Sequence, residues 1–242
     1  GKKLALFDLK RGNSTKLKWE KVNVKSDKNG KNGFRHFMAK EIFEIPDAIE
    51  NLTGQNKKSL VDFAKQVKKA RTVYTIGSGT TGIAAAQIAY FLRHFAKVNA
   101  IGLVGADSYE CLDLFKKGDI LIAPSQSGET ADVLEIIEIA KKRGVKIATN
   151  VNMPGSMMTK LSDFRFMTLA GPEVCVVSTK VFVAHIAWGY LLAKTIVGKY
   201  NDGVSNLSKL AKTITKYLDS QQKIKQIKEL AKILLLEDHI FL

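Results

Sequence analysis

The sequence has little of what a disulfide-stabilised, metal-binding or membrane-spanning protein needs. Its 242 residues include two cysteines, Cys111 and Cys175, which predict neither a disulfide framework nor metal-ligand spacing. No apolar run approaches the ~20 residues that cross a bilayer, and no N-terminal apolar stretch with a basic flank marks a secretion signal. We therefore expect a cytoplasmic protein with no metal site and no membrane partner.

Acidic residues are also scarce, since 23 of them face 38 lysines and arginines, and the formal net charge is +15 at pH 7. A strongly basic chain can bind nucleic acid. Here no zinc-finger, RNA-binding or helix-turn-helix pattern accompanies the lysines, and their spacing predicts solvated helix faces. They are Lys68-Lys69, Lys116-Lys117, Lys141-Lys142 and a series from Lys209 to Lys232. We predict no nucleic-acid partner, although the positive field can attract an anionic sugar.

The composition, 45% hydrophobic and 25% charged, is that of a globular protein with one sizeable core. From Arg71 onward, short β-branched runs alternate with longer helical runs, which is typical of βαβ units. We predict an α/β fold, a three-layer α/β/α sandwich around a five-stranded parallel sheet. The predicted strands are Val73–Ile76, Val98–Val104, Ile120–Pro124, Val145–Val151 and Phe164–Thr168. The predicted helices are Ile83–Phe95, Ser108–Lys116, Ala131–Arg143, Ser156–Leu161, Lys180–Val197, Val204–Leu218 and Gln222–Leu235.

The two ends of the chain carry other patterns. Alternating residues in Lys3–Leu9 and Thr15–Val24 predict a hairpin, which is too small to fold alone. A polar linker then precedes a helical pattern over Phe34–Ile49, with a break near Pro46. The last residues, Asp238–Leu242, resemble a strand that has no neighbour to satisfy its backbone groups. We therefore expect the chain to be part of a longer protein.

Two turns are rich in hydroxyl side chains, Gly77–Gly82 and Ser125–Thr130, and each connects a predicted strand to a predicted helix. The first turn of a helix has N–H groups without intrahelical partners, and it stabilises an anion by roughly 0.3–1 kcal/mol. Serine and threonine add directed donors. Neither turn has the lysine of a G-x-x-x-x-G-K-[ST] nucleotide loop, so a phosphate monoester fits better than a triphosphate with magnesium.

Two other interpretations of these turns remain open. The first turn matches G-x-G-x-x-G, the dinucleotide fingerprint, between a strand and a helix. Against this, the first acidic residue after the next strand is Asp107, which lies beyond Gly105, and the second turn stays unexplained. Alternatively, Ser127 or Thr130 only caps a helix, which is the commoner role for such residues. Two such turns at one edge of a doubly wound sheet favour a ligand site.

A third segment, Gly171–Lys180, connects the last predicted strand to the long apolar helix at the same edge of the sheet. Ser178 is placed to cap that helix. A backbone carbonyl, with Val176 as the candidate, could accept from sugar hydroxyls. We predict that Lys180 is solvated rather than bound to a ligand.

Five segments of the sequence together resemble one known family. They are Phe34–Ile42, the turn Gly79-Thr80-Thr81, Ser125–Asp132, Asn152–Ser156 and Glu173–Lys180. They resemble the sugar isomerase (SIS) domain, and more narrowly the first such domain in the isomerase half of glucosamine-6-phosphate synthases. The first segment is similar to the stretch that joins the glutaminase domain to the isomerase half in that family. The resemblance covers nearly the whole chain.

The resemblance implies a site and an activity. It implies that Thr81, Ser125, Gln126, Ser127 and Thr130 bind the phosphate of fructose 6-phosphate, and that Thr80 and the backbone of Val176 contact the sugar. The implied reaction transfers the glutamine amide nitrogen to the ketose and isomerises the product to glucosamine 6-phosphate, for amino-sugar biosynthesis, in a homodimer without a cofactor. The implied boundaries are 1–32 for the tail of an upstream glutaminase-type domain, 33–70 for a linker and helix, 71–236 for the SIS domain and 237–242 for the start of a second SIS domain.

No catalytic residue is predicted in this chain. The family's proton shift is attributed to groups in the second SIS domain or in a neighbouring subunit. His36, His94 and His185 fall in helical patterns and are predicted to be packed or on the surface, and Glu129 to complement a helix dipole. We expect ligand binding without turnover. A stand-alone sugar-phosphate isomerase or deglycase and a sugar-phosphate sensor remain alternatives.

The long apolar helix, Val181–Val197 with Trp188, has two interpretations. It fits the dimer interface that the family resemblance implies. It fits a helix buried in the chain's own core equally well.

Overall fold

A computed structural model describes residues 6–7, 10, 12–15 and 30–239. The chain divides into two compact units, residues 1–30 and 31–242. In the first, strand β1 (Leu6–Phe7) pairs antiparallel with strand β2 (Ser14–Thr15). This confirms the predicted hairpin at its centre. The outer parts of both predicted strands, 3–5, 8–9 and 16–24, lie outside the described residues.

The second unit begins with three helices, α1 (Phe37–Phe43), α2 (Ile45–Leu52) and α3 (Lys57–Lys69). Glu44 separates the first two, and Pro46 lies in the first turn of α2, where its missing N–H leaves no hydrogen bond unmade. The predicted break near Pro46 is therefore confirmed. The sequence prediction did not delimit α3, whose buried residues recur at helical spacing.

Five parallel strands form the central sheet in the order β4-β3-β5-β6-β7. The strands are β3 (Val73–Gly77), β4 (Ala100–Val104), β5 (Ile120–Ser125), β6 (Lys146–Val151) and β7 (Phe164–Met167). The other helices of this unit are α4 (Thr80–Ala96), α5 (Ala131–Lys142), α6 (Met157–Leu161), α7 (Lys180–Ile196), α8 (Tyr200–Leu218) and α9 (Gln221–Leu234). The predicted α/β sandwich is confirmed.

Two predicted elements differ from the structure. The predicted helix Ser108–Lys116 is a 3₁₀ helix, Gly105–Leu114, in which the Ser108 hydroxyl donates to the Val104 carbonyl at 2.9 Å. Short polar side chains that bond the nearby backbone compete with the α-helical pattern. The predicted final strand does not form at Asp238 and His239, and its other residues, 240–242, lie outside the described part of the chain.

The two faces of the sheet carry separate apolar cores because successive side chains of a strand point to opposite sides. In β5, Ile120 and Ile122 join the core beneath α3, α4 and α7, whereas Leu121 and Ala123 join the core beneath α5 and α6. Trp188 of α7 is completely buried in the first core. The apolar composition of α7 thus follows from burial within its own chain and gives no support to a dimer interface.

The lysines named above are exposed in every described pair and along α8 and α9, which confirms the predicted solvated faces. In the described part of the chain, no helix combines the length and apolar composition that crossing a membrane requires.

His185 of α7 is completely buried, and its Nδ1 lies 2.7 Å from Asn150 Oδ1 of β6. Desolvation lowers the pKa of His185 to about 3. Because the unfolded chain takes up this proton near pH 6.5 and the folded chain only near pH 3, the contribution of the neutral His185 to the unfolding free energy is complete above pH 6.5. It falls by about 1.4 kcal/mol per pH unit between pH 6.5 and pH 3. We expect His185 to cost about 2 kcal/mol of unfolding free energy at pH 5, measured by urea denaturation at pH 7.5 and pH 5.

The variant His185→Gln should be less stable at pH 7.5 but should lose less stability on acidification than the wild type. His94→Gln, which changes an exposed histidine of α4, is the matched control. An acid loss in His185→Gln as large as that of the wild type would contradict this assignment.

Candidate functional site

The candidate site lies where the strand order of the sheet reverses. Strand β3 has β4 on one side and β5 on the other, so the connections that leave β3 and β5 turn to opposite faces of the sheet. Such a switch point opens a crevice at the carboxyl ends of the strands, which is where doubly wound sheets bind ligands. The two hydroxyl-rich turns, after β3 and after β5, are at this crevice.

A cleft of about 370 Å³ occupies the crevice. All seven residues of the predicted site line it, namely Thr80, Thr81, Ser125, Gln126, Ser127, Thr130 and Val176. The cleft is also lined by Ser78, Glu173, Val174, Cys175 and Ser178, which the sequence prediction did not assign to the site. The structure thus brings both turns and the third segment to one cavity.

The turn after β3 depends on its glycines. A Cβ atom added at Gly77 would lie 2.4 Å from the Thr81 carbonyl oxygen, and one added at Gly82 would lie 2.9 Å from the Gly77 oxygen. Gly79 has φ of 58° and ψ of −132°, a conformation that side chains with a Cβ rarely adopt. These glycines bring the start of α4 against the end of β3, and the first two residues of α4, Thr80 and Thr81, line the cleft.

Thr81 is engaged within this turn. Its hydroxyl donates to the Ser78 carbonyl at 2.7 Å and accepts from the Ser78 N–H at 3.2 Å. The Thr81 hydroxyl hydrogen is therefore already used in the turn. For this side chain to donate to a ligand, it has to leave the Ser78 carbonyl.

The turn after β5 leaves its hydroxyl hydrogens available. Ser125 Oγ accepts from the Gly128 N–H at 2.9 Å, and Ser127 Oγ accepts from the Glu129 N–H at 3.2 Å. Each bond uses a lone pair of the hydroxyl and not its hydrogen. Thr130 is the N-cap residue of α5, but neither its side chain nor that of Ser127 caps the helix. The capping interpretation therefore does not explain these two side chains.

Glu129 has a different role from the predicted one. Its carboxylate accepts from the Met157 N–H at 2.9 Å, at the first residue of α6. It therefore complements the start of α6, a neighbouring helix, rather than that of α5. Glu129 is not one of the described residues that line the cleft.

Two predictions about the third segment are wrong. Ser178 does not cap α7, because the Glu173 carboxylate accepts from the N–H groups of Thr179, at 2.9 Å, and Val181, at 3.2 Å, while the Ser178 hydroxyl donates to the same carboxylate. Lys180 is not solvated, since it is 3% exposed and its Nζ lies 2.6 Å from the Glu44 carboxylate. Glu44 is 136 positions from Lys180, and Glu173 is six positions before Thr179, outside the usual spacing of a capping residue. No local pattern therefore indicated these two contacts.

The electrostatics of the cleft favour an anion without a cationic side chain. The starts of α4 and α5 face it, and each helix start carries partial positive charge. Of the described residues that line it, none is lysine, arginine or histidine, and Glu173 is the one carboxylate. His36, His94 and His239 are exposed elsewhere and His185 is buried. The Glu173 carboxylate accepts from N–H groups at the start of α7, and the arrangement can bind an anion.

Comparisons with known proteins agree with this geometry. The family model of the SIS domain matches residues 66–195. The chain is 35% identical over 203 residues to a glutamine–fructose-6-phosphate aminotransferase (isomerizing) of Pyrococcus horikoshii, covering 83% of this chain and 34% of the relative. It is 38% identical over 174 residues to the enzyme of the same name from Thermotoga maritima, covering 69% and 29%. The chain therefore spans about a third of the length of these curated relatives.

Solved structures share the fold. The C-terminal domain of glucosamine-fructose-6-phosphate aminotransferase from Francisella tularensis has a TM-score of 0.67 and 25% identity, covering 85% of this chain and 61% of that one. The NanR protein of Vibrio vulnificus, solved in complex with ManNAc-6P, has a TM-score of 0.54 and 19% identity, covering 86% and 72%. The second likeness concerns the fold alone.

Proposed function

Because the chain belongs to the SIS domain family, we propose that it binds fructose 6-phosphate as the first SIS domain of a glucosamine-6-phosphate synthase. It is homologous to the isomerase half of glutamine–fructose-6-phosphate aminotransferases, which are enzymes. The observation that carries the proposal is the cleft, where two hydroxyl-rich turns at the starts of α4 and α5 meet. The bound ManNAc-6P of NanR, a protein of the same fold, supports a sugar phosphate as the class of ligand.

In the proposed complex the phosphate lies between the two turns. Ser125, Ser127 and Thr130 donate their hydroxyl hydrogens to it, Gln126 adds its side-chain amide, and the first N–H groups of α4 complete the cradle beside Thr81. Hydrogen bonds to a charged group contribute about 1.5–3 kcal/mol each. A few of them suffice for millimolar affinity, which corresponds to about −4 kcal/mol. The sugar then contacts Thr80 and the backbone of Val176, which line the same cleft.

We further propose the organisation and setting of the parent enzyme. Residues 1–32 belong to an upstream glutaminase-type domain, 33–70 to the segment that joins it to the SIS domain of residues 71–236, and 237–242 to a second SIS domain. The relatives are about three times as long as the matched region, which leaves room for such further domains in the parent enzyme. The enzyme acts in amino-sugar biosynthesis as a cytoplasmic homodimer. Cys111 and Cys175, which are unpaired, are consistent with a reducing compartment.

The proposal predicts selective binding of a phosphorylated ketose. We expect fructose 6-phosphate to raise the melting temperature of the chain, with saturation in the millimolar range, because the phosphate and the sugar both contribute to the binding free energy. Fructose at the same concentration should give no shift, and inorganic phosphate a smaller one. Thermal shift with titrations followed by NMR measures all three ligands.

Two further measurements distinguish the proposed function from the alternative functions. We expect no glucosamine 6-phosphate from ammonia and fructose 6-phosphate with this chain alone, since the family resemblance places the groups for the proton shift in the second SIS domain or in a neighbouring subunit. Turnover would favour a stand-alone isomerase instead. NADH fluorescence that responds to the protein would favour the dinucleotide interpretation, and equal shifts with fructose and fructose 6-phosphate would contradict the phosphate site.

A further inference from the structure

The loop between β7 and α7, residues Gly171–Thr179, forms one wall of the cleft through Glu173–Val176 and Ser178. We call it the cleft loop. Its side chains do not anchor it, because Val176 is fully exposed and those of Val174 and Val177 are about half exposed. Hydrogen bonds from other elements must therefore set its conformation.

The start of the cleft loop is held by the sandwich, and its end is held by the loop's own Glu173. At its start, the Asn152 side-chain amide, beyond the end of β6, donates to the Gly171 carbonyl at 2.8 Å. At its end, the Glu173 carboxylate accepts from the N–H groups of Thr179, the N-cap residue of α7, and Val181. These contacts leave the tip, residues 174–176, to be fixed by something else.

Glu41 of α1 holds the tip. Its side chain is 1% exposed, and its carboxylate accepts from the Val174 N–H at 2.6 Å and from the Cys175 N–H at 3.2 Å. A trans peptide directs its carbonyl away from its N–H. Since both N–H groups point to Glu41, the carbonyls of Glu173 and Val174 point to the other side of the loop. By accepting from these N–H groups, Glu41 fixes the direction of the two carbonyls, which face away from α1.

A second link ties the same region to the base of the loop. Glu44, between α1 and α2, pairs with Lys180, the first residue of α7, at 2.6 Å, and with Lys40 at 3.4 Å. Both lysines are buried. Loss of the partly exposed Glu44 carboxylate is costly, because the buried lysine ammonium groups are then left uncompensated. The α1 segment and the cleft loop are therefore connected at the tip through Glu41 and at the start of α7 through Glu44.

We propose that Glu41 is a positioning residue for sugar recognition, which fixes the tip of the cleft loop so that its backbone can contact the sugar while the phosphate is bound independently by the turns after β3 and β5. The inference rests on the proposed function of the cleft. It also makes α1, which precedes the sandwich in the chain, a determinant of sugar affinity. Movement of α1 relative to α7 would change how the cleft accepts the sugar.

The test separates the sugar from the phosphate. We compare the wild type, Glu41→Gln and the matched control Glu50→Gln, which removes the same charge from α2, where Glu50 accepts from the Ser208 hydroxyl of α8. We expect Glu41→Gln to weaken fructose 6-phosphate binding about tenfold, because a neutral amide oxygen accepts from the Val174 and Cys175 N–H groups more weakly than the carboxylate does. Inorganic phosphate should bind as in the wild type. If Glu41→Gln acted only by removing a negative charge, the affinity for both anions would rise. The expected fall in affinity for fructose 6-phosphate has the opposite sign.

Amide hydrogen exchange gives a second readout that needs no ligand. We expect the Val174 and Cys175 amides to exchange at least about ten times faster in Glu41→Gln, with the core of the sheet unchanged. Glu50→Gln should alter neither the exchange at these amides nor the affinity for fructose 6-phosphate. Glu41→Asp, which keeps the charge but shortens the side chain, replaces Glu41→Gln with the same criteria should the latter not fold.

The outcomes are distinct. Parallel weakening of fructose 6-phosphate and phosphate, unchanged affinity for both, or unchanged exchange at Val174 and Cys175 would each overturn the role of Glu41. A wild type that binds phosphate but not fructose 6-phosphate would instead overturn the proposed function. In that case the exchange measurement still decides whether Glu41 holds the loop.

Discussion

Replacing Ser127 and Thr130 together by alanine should raise the Kd for fructose 6-phosphate at least about 100-fold, which places binding beyond the measurable range. The Ser127 hydroxyl accepts one bond from Glu129, and the Thr130 side chain caps nothing, so both hydrogens can reach a phosphate in the cleft. Two lost hydrogen bonds to a charged group remove about 3 kcal/mol or more. An NMR titration of the double variant measures the loss.

The same variant distinguishes a ligand site from helix capping. If these side chains capped α5, their loss would cost about 0.5–2 kcal/mol each in stability and leave phosphate affinity intact. We expect the double variant to lose much less stability than this, so its melting temperature should stay close to that of the wild type. The double variant Ser205→Ala with Thr213→Ala, at exposed positions of α8, controls for the loss of two hydroxyls. Retained affinity in the Ser127 and Thr130 variant would refute the assignment of the second turn.

Local patterns in the sequence were sufficient to predict the sheet and the two hydroxyl-rich turns. Each of the five predicted strands of the parallel sheet, such as Ile120–Pro124, agrees with the structure within two residues, because strands buried in a parallel sheet are short apolar runs bounded by turn residues. A connection that leaves a parallel strand starts at its carboxyl end, so the turns after β3 and β5 had to meet at one edge once their neighbours were known. The predicted residues of both turns accordingly line one cleft.

Contacts between distant segments could not be predicted in this way. Glu41 and Val174 are separated by 133 positions, and Glu44 and Lys180 by 136, so no helical or strand periodicity relates them. Lys180 was predicted to be solvated because a lysine in a first turn usually is. Its burial beside Glu44 follows from the packing of α1 and α2 near the start of α7, which is a property of the tertiary structure alone.

Replacing Gly77 by alanine should destabilise the fold by about 3 kcal/mol or more and abolish phosphate binding at the same time. The added Cβ would lie 2.4 Å from the Thr81 oxygen, 2.5 Å from the Thr81 carbonyl carbon and 2.8 Å from the Gly82 nitrogen. All three are backbone atoms of the first turn of α4, so no flexible side chain can move aside. The start of α4 must shift away from β3, which displaces its residues that line the cleft. For a chain of this size, we expect the melting temperature to fall by about 6–12 °C.

Gly203→Ala in α8 is the matched comparison, because the nearest atoms to its added Cβ, at 3.0 and 3.1 Å, belong to the side chains of Leu191 and Lys194. The Leu191 methyl can turn aside and the Lys194 Cβ has to move by only a few tenths of an ångström. Alanine is favoured over glycine in a helix by about 1 kcal/mol, which offsets this strain, so the stability of Gly203→Ala should remain close to that of the wild type. The difference between the two variants therefore measures the close approach of α4 to β3 rather than the general effect of a methyl group. A Gly77→Ala protein that melts and binds fructose 6-phosphate like Gly203→Ala would show that the phosphate turn does not depend on this approach.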